Sequence, residues 1–131
     1  MTYNDLTRRY FEAPAHAGVL VGQGVLRGSA GDRERGTWVQ FDLQTHAGTV
    51  QDARFLAFGC PHVIAVSAWL AEQALGRPLT AALPESVQTL RERFDIPLEK
   101  LGRLLVIEDA WAAAAAAALE PSREPGLIKN T

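Results

Sequence analysis

Cys60 is the one cysteine of the chain and the side chain best suited to chemistry. It follows an apolar run and precedes Pro61, a residue that fits the first turn of a helix because its missing N–H needs no partner there. We therefore expect the thiol at a helix N-terminus, where the partial positive charge favours the thiolate. Such a thiolate is a nucleophile or a metal ligand. A lone cysteine is also often a small buried hydrophobic residue, so both interpretations stay open.

Three histidines accompany the cysteine, and His62 lies nearest to it in sequence. We interpret His62 as a residue that could assist Cys60 as a ligand or base. His16 and His46 fall in predicted loops, and we expect both to be exposed to solvent without a role. One cysteine with scattered histidines does not match the tight spacing of a zinc finger.

The composition is that of one ordinary domain. The 131 residues are 47% hydrophobic and carry a net charge of -2. That length supports one core, and that charge gives no basic face for nucleic acid. Residues 33–35 (Arg-Glu-Arg) alternate in sign, and we interpret them as a solvated loop without function.

Neither end of the sequence indicates a membrane. Residues 1–5 lack the basic start and apolar run of a secretory signal, so a cytoplasmic location is expected. The alanine run at residues 112–118 is far shorter than the roughly 20 apolar residues that cross a bilayer. We predict no membrane span.

The elements that must position Cys60 appear as changes in hydrophobic period. Residues 3–12 place apolar side chains at helical spacing before Pro14, which predicts a short helix. Branched residues between Gly18 and Leu26 predict a strand interrupted by glycines. Residues 37–43 and 49–58 alternate on either side of a short turn, so we predict an antiparallel hairpin.

Beyond Cys60 the period becomes helical. The sequence predicts a buried helix from Pro61 to Leu75, a helix from near Pro84 to Phe94, and a last helix over residues 95–119. Strands followed by helices indicate an α+β fold, an antiparallel three-stranded sheet with helices packed on one face. We expect one domain in residues 1–120 and a flexible tail in residues 121–131.

Several short segments resemble the NifU/IscU family, the U-type scaffolds on which iron-sulfur clusters are assembled. Residues 52–55 (Asp-Ala-Arg-Phe) and 58–60 (Phe-Gly-Cys) are similar to the strand that leads into the family's second cluster cysteine. Tyr3, residues 11–12 and Pro14 match the opening helix and loop, and residues 108–110 (Glu-Asp-Ala) match the last helix. The similarity covers residues 3–118.

The same resemblance marks where this chain departs from the family pattern of three cysteines, an aspartate and a histidine. The family segment Ala-Cys-Gly-Asp corresponds to residues 29–32, so Ala30 stands in place of a thiol and Asp32 is retained. The segment Lys-Ile-His-Cys corresponds to residues 100–103, where Gly102 and Arg103 replace the histidine and the cysteine. Residues 96–100 keep one proline and the lysine of a chaperone-binding motif, so chaperone binding is not implied.

The resemblance implies a non-enzymatic protein of iron-sulfur cluster assembly, with a cysteine desulfurase or another assembly factor as partner. Iron or an iron-sulfur cluster is the implied cofactor, with Cys60, Asp32 and His62 as ligands. A two-iron cluster is bound by about four protein ligands, and this set has fewer. The site is therefore expected to bind iron or a cluster weakly, atypically or not at all. We also expect the Arg103 guanidinium to occupy the metal's space and to pair with Asp32 or with the Cys60 thiolate.

Three functions remain open from the sequence. The first is a scaffold or weak metal carrier. The second is an adaptor or regulator that keeps the family surface without binding a cluster. The third is a sulfur carrier, in which Cys60 accepts a persulfide and Arg103 stabilises the thiolate.

Overall fold

The computed structural model describes residues 3–119, in which a three-stranded antiparallel sheet is combined with helices. The α+β fold is thereby confirmed. The tail predicted for residues 121–131 lies outside the described residues. The elements are, in chain order, α1 Asp5–Glu12, β1 Leu26–Asp32, β2 Thr37–His46, β3 Thr49–Phe58, α2 Pro61–Ala74, α3 Val87–Phe94 and α4 Leu101–Ala116, with short 3-10 turns at Arg33–Arg35, Leu98–Lys100 and Ala117–Leu119.

The central hairpin of β2 and β3 forms as the alternation predicts. Val39, Phe41 and Leu43 are fully buried on the inner face of the sheet. The linking residues Ala47 and Gly48 both have positive φ, 53° and 81°, which is the backbone of a tight hairpin turn whose twist matches that of the strands. The strand order is β1-β2-β3, so β2 lies in the middle.

The strand predicted between Gly18 and Leu26 is wrong. Residues 18–25 form an irregular segment, which begins where Ala17 bridges to Phe55. Gly18, Gly22 and Gly24 have φ values of 128°, 114° and 80°, and such positive values interrupt a strand. The glycines thus outweigh the strand preference of the branched residues between them.

The first strand begins at Leu26 instead. Its position is determined more by close packing against α4 than by the strand propensity of its residues. A Cβ on Gly28 would lie 2.0 Å from the backbone nitrogen of Ala114 and 2.4 Å from the carbonyl carbon of Ala113. Glycine facing alanines therefore lets β1 and α4 approach almost backbone to backbone.

The helices cover one face of the sheet, as predicted. α4 packs on β1 and β2, and α2 packs on β3. α3 begins at Val87, behind the N-cap Ser86, rather than near Pro84, and the last helix begins with the 3-10 turn Leu98–Lys100 before α4. Within residues 3–119 no helix is long and apolar enough to cross a membrane.

The opposite face of the sheet carries a buried carboxylate that fixes the irregular segment. Asp42 is 1% exposed. Its oxygens accept hydrogen bonds from the Nε and Nη2 atoms of Arg27, both at 2.7 Å, and from the backbone N–H of Leu20 at 2.9 Å. The carboxylate thus ties residues 18–25 to the central strand.

Candidate functional site

Cys60 is the N-cap residue of α2, with Pro61 in the first turn. The helix N-terminus expected from the sequence is therefore present. The Cys60 carbonyl accepts hydrogen bonds from the N–H groups of Val63 and Ile64, at 3.0 and 3.3 Å. Its side chain makes no capping hydrogen bond to the helix and is half-buried. The thiol is thus held by the backbone while its sulfur stays available to other groups.

Arg103 lies directly against this thiol. Its Nη1 atom donates a hydrogen bond to the Cys60 Sγ atom at 3.4 Å, which is one of the two contacts hypothesised for this guanidinium. The alternative contact, with Asp32, is not among the ion pairs formed within residues 3–119. Asp32 is exposed, and its Oδ1 atom accepts the backbone N–H of Glu34 at 2.8 Å, capping the 3-10 turn.

The ends of β1 and α4 form an open depression beside the thiol, with a volume of about 520 Å³. Gly31, Asp32, Arg35, Thr37, Gly102, Arg103 and Val106 line it. The structure therefore brings together Asp32, Gly102 and Arg103, with Cys60 joined to them through Arg103. Ala30 is the neighbouring residue of β1 and packs against the core. Of the positions expected from the resemblance, Asp32, Gly102 and Arg103 therefore line one depression, and Cys60 contacts it through Arg103.

His62 points to a different neighbour. It is 3% exposed, its ring meets that of Tyr3 edge-on at 4.8 Å, and its Nδ1 atom lies 3.3 Å from the Lys100 Nζ atom. Burial, followed by the positive charges of Lys100 and Arg103, lowers the pKa of His62 from 6.5 to about 4, against a small opposing effect of Asp95. The imidazole is therefore neutral at neutral pH, with Nδ1 as the acceptor towards an ammonium donor.

The side chains at this site do not fit a resident metal cluster within one chain. Among residues 3–119, no three His, Cys, Asp or Glu side chains lie close enough to hold a metal ion. Arg103 has no lone pair to give a metal and repels cations. Cys60 is left as the single thiol, and Asp32 is an exposed carboxylate that lines the depression together with Arg103.

Sequence reasoning missed three residues of this region. Arg35 belongs to the turn interpreted as a solvated loop, yet it lines the depression. Lys100 and Tyr3 entered only as parts of the resemblance, although they enclose His62. The spacing of Lys100 and Arg103, one helical turn apart, was the available signal that both cations share a face.

The expectations for the other two histidines are only partly met. His46 ends β2 and is exposed. His16 is half-buried, and its Nδ1 atom lies 3.2 Å from the Arg54 Nη1 atom, so the prediction of an exposed loop residue is wrong for it. His16 is held because residues 16–18 run along the edge of β3.

Comparison with known proteins gives consistent matches along most of the chain. The family model of the NifU-like N terminal domain matches residues 2–120. An iron-sulfur cluster assembly protein IscU from Plasmodium falciparum is 26% identical over 114 residues, covering 82% of this chain and 68% of the relative. The scaffold protein IscU from Azotobacter vinelandii is 29% identical over 117 residues, covering 87% of this chain and 91% of the relative.

A solved structure shares the fold. It is that of a protein described as an iron-sulfur cluster assembly scaffold for the SUF system, from Fervidobacterium islandicum. Its TM-score to this chain is 0.65 at 12% sequence identity, with 87% of this chain and 94% of that chain covered. At this identity the likeness concerns the fold.

Proposed function

This chain belongs to the family of NifU-like N-terminal domains, and on that premise we propose that it acts in iron-sulfur cluster assembly as a scaffold-like protein with a single working thiol. The observation that carries this proposal is the placement of Cys60 at the N-terminus of α2, beside the depression that contains Asp32 and Arg103. The family relatives named as assembly scaffolds support the process.

A single thiol limits how tightly such a protein can bind iron or an iron-sulfur cluster. Iron or a cluster bound at Cys60 would take its remaining ligands from outside the chain, because Arg103, 3.4 Å from Sγ, has no lone pair to offer a metal. Binding is therefore weak on one chain alone, and it strengthens when another molecule supplies thiolates. A cysteine desulfurase or another assembly factor is the proposed partner.

Anaerobic reconstitution tests this function. The protein and a Cys60→Ser variant are incubated with ferrous iron and sulfide, with and without a small thiol such as glutathione, and are then freed of small molecules. We expect visible absorption and bound iron that need both Cys60 and the added thiol. Equal iron content in the protein and the variant under both conditions would contradict a role for Cys60.

The contact between Arg103 and Cys60 favours a second function, that of a persulfide carrier. The thiolate of Cys60 would attack the outer sulfur of a persulfide on a donor protein. A new S–S bond forms on Cys60, the donor's S–S bond breaks, and the donor leaves as a thiolate. The Arg103 guanidinium, 3.4 Å from Sγ, lies where it can stabilise the anionic sulfur before and after transfer.

Persulfide labelling separates the two functions. After incubation with a cysteine desulfurase and cysteine, a carrier gains the mass of one sulfur atom at Cys60, and Cys60→Ser gains none. A chain that gains neither sulfur nor iron, yet is captured by the desulfurase equally well with Cys60→Ser, would instead be an adaptor.

A further inference from the structure

Two arginine side chains line the depression beside Cys60, and we propose that this depression binds a small tetrahedral oxyanion of the sulfate or phosphate type. The inference goes beyond the proposed function and does not depend on it. A role in cluster assembly concerns the thiol and a cationic cargo, whereas this site concerns the space between β1 and α4 and an anionic ligand.

The charge of the lining favours an anion. Arg35 and Arg103 both contribute to the wall, and no carboxylate within residues 3–119 forms an ion pair with either. Asp32 opposes them with one negative charge, but its Oδ1 atom is engaged by the Glu34 N–H. Two guanidinium groups against one carboxylate leave a positive excess, which attracts an oxyanion and repels a metal cation.

The donors also suit an oxyanion. A planar guanidinium can donate two parallel N–H groups to two oxygens of one ligand, and Arg103 uses Nη1 for the Cys60 sulfur. Thr37 also contributes to the wall. The ligand would thus be held by charge and by directed hydrogen bonds together.

Two glycines keep the depression open. Gly31 has a φ of 91°, and a Cβ there would lie 2.2 Å from the Thr37 carbonyl oxygen, so this position stays without a side chain. Gly102 is different, because a Cβ on it would have nothing within 4 Å. A side chain introduced at Gly102 therefore extends into free space beside the two arginines, which offers a way to fill the site by design.

The thiol reports on occupancy. Arg103 connects the depression to Cys60, so a dianion bound to its guanidinium competes for its N–H donors and weakens the contact with Sγ. The alkylation rate of Cys60 with iodoacetamide, a neutral reagent, is measured at pH 7 against rising sulfate, with chloride keeping the ionic strength constant. We expect a saturable slowing by sulfate and by phosphate, and a clearly weaker effect of acetate.

Four variants locate the site. Arg35→Gln should weaken the sulfate effect about tenfold, since it removes one of two guanidinium groups. Arg33→Gln is the matched control, because Arg33 stacks on Trp38 at 4.7 Å and does not line the depression. Asp32→Asn retains an oxygen for the cap and should tighten binding, and Gly102→Glu should abolish it by placing a carboxylate beside the arginines.

Three outcomes would each overturn the proposal. The slowing of alkylation does not saturate with sulfate, or acetate or chloride slows it as much as sulfate does. The third is an equal loss of the sulfate effect in Arg33→Gln and Arg35→Gln. Circular dichroism checks the fold of each variant. If Gly102→Glu does not fold, the exposed substitutions at Arg35 and Asp32 still decide the question. None of these results depends on whether the protein takes part in cluster assembly.

Discussion

At Cys60, one guanidinium, that of Arg103, lies 3.4 Å from the sulfur. Replacing Arg103 by Gln removes this positive charge and leaves a neutral donor beside the attacking sulfur. We expect alkylation of Cys60 by iodoacetamide, in the absence of sulfate and phosphate, to slow roughly fivefold, which corresponds to about 1 kcal/mol. Arg103→Lys should retain part of the rate. An unchanged rate in Arg103→Gln would show that the 3.4 Å contact does not persist in solution.

His62 makes stability depend on pH on the acidic side. In the unfolded chain the imidazole takes up a proton near its ordinary pKa of 6.5, whereas in the folded chain it does so only near 4. The unfolded state therefore binds more protons between these values, and the free energy of unfolding falls as pH drops through this window. The full shift corresponds to at most about 3 kcal/mol.

Urea unfolding at several pH values between 7 and 4 tests this prediction. His62→Gln should flatten the decline of unfolding free energy across the window, even if it lowers stability at pH 7. His46→Gln is the control, because His46 is exposed at the end of β2. The same decline in His62→Gln and in the unchanged protein would show that other groups carry the pH dependence.

At the scale of elements, the junction of β1 and α4 depends on a residue without a side chain. A Cβ at Gly28 would overlap the backbone of Ala114, so Gly28→Ala forces the strand and the helix apart. We expect a loss of about 2 kcal/mol in unfolding free energy, typical of overpacking. Gly102→Ala, where the added Cβ meets open space, should be neutral or slightly stabilising. Equal effects in urea unfolding would contradict this account.

The irregular segment depends on Asp42 in a comparable way. Asp42→Asn removes the buried negative charge that pairs with Arg27, so we expect a loss of about 3 kcal/mol and faster amide hydrogen exchange in residues 18–25. Asp52→Asn is the control, since its carboxylate is 37% exposed in the pair with Arg54 and should cost less than about 1 kcal/mol. Unaltered exchange in the segment would mean that Asp42 does not hold it.

The hydrophobic pattern of the sequence predicted the elements in which apolar residues recur regularly. It failed where contacts between residues distant in sequence determine the structure. The hairpin could be predicted because Val39, Phe41 and Leu43 alternate, and α2 because Pro61 marks its start. The first strand could not be predicted, because glycine has a low strand propensity. Gly28 is favoured in β1 only because α4 packs so closely there that a side chain would not fit. The enclosure of His62 by Lys100 likewise follows from the packing of α2 against the start of α4.

At the scale of the whole molecule, the fold is that of the family, and the resemblance implies that the side chains at its site differ. Three element ends meet at one place: the end of β1, the start of α2 and the start of α4. Cys60 at the start of α2 contacts Arg103 at the start of α4, and Arg103 lines the depression together with Asp32 at the end of β1. If the resemblance assigns these positions correctly, restoring the missing thiols should restore binding without any change in fold.

The double variant Ala30→Cys with Arg103→Cys tests this assignment. Together with Cys60 and Asp32 it supplies three thiolates and one carboxylate, and it removes the cation that repels iron. After anaerobic reconstitution without added thiol, we expect visible absorption and about two iron atoms per chain. The isosteric control, Ala30→Ser with Arg103→Ser, removes the same cation but adds no thiolate and should stay colourless. A folded double-cysteine variant that binds no iron would show that Ala30 and Arg103 do not converge on Cys60 as the family pattern requires.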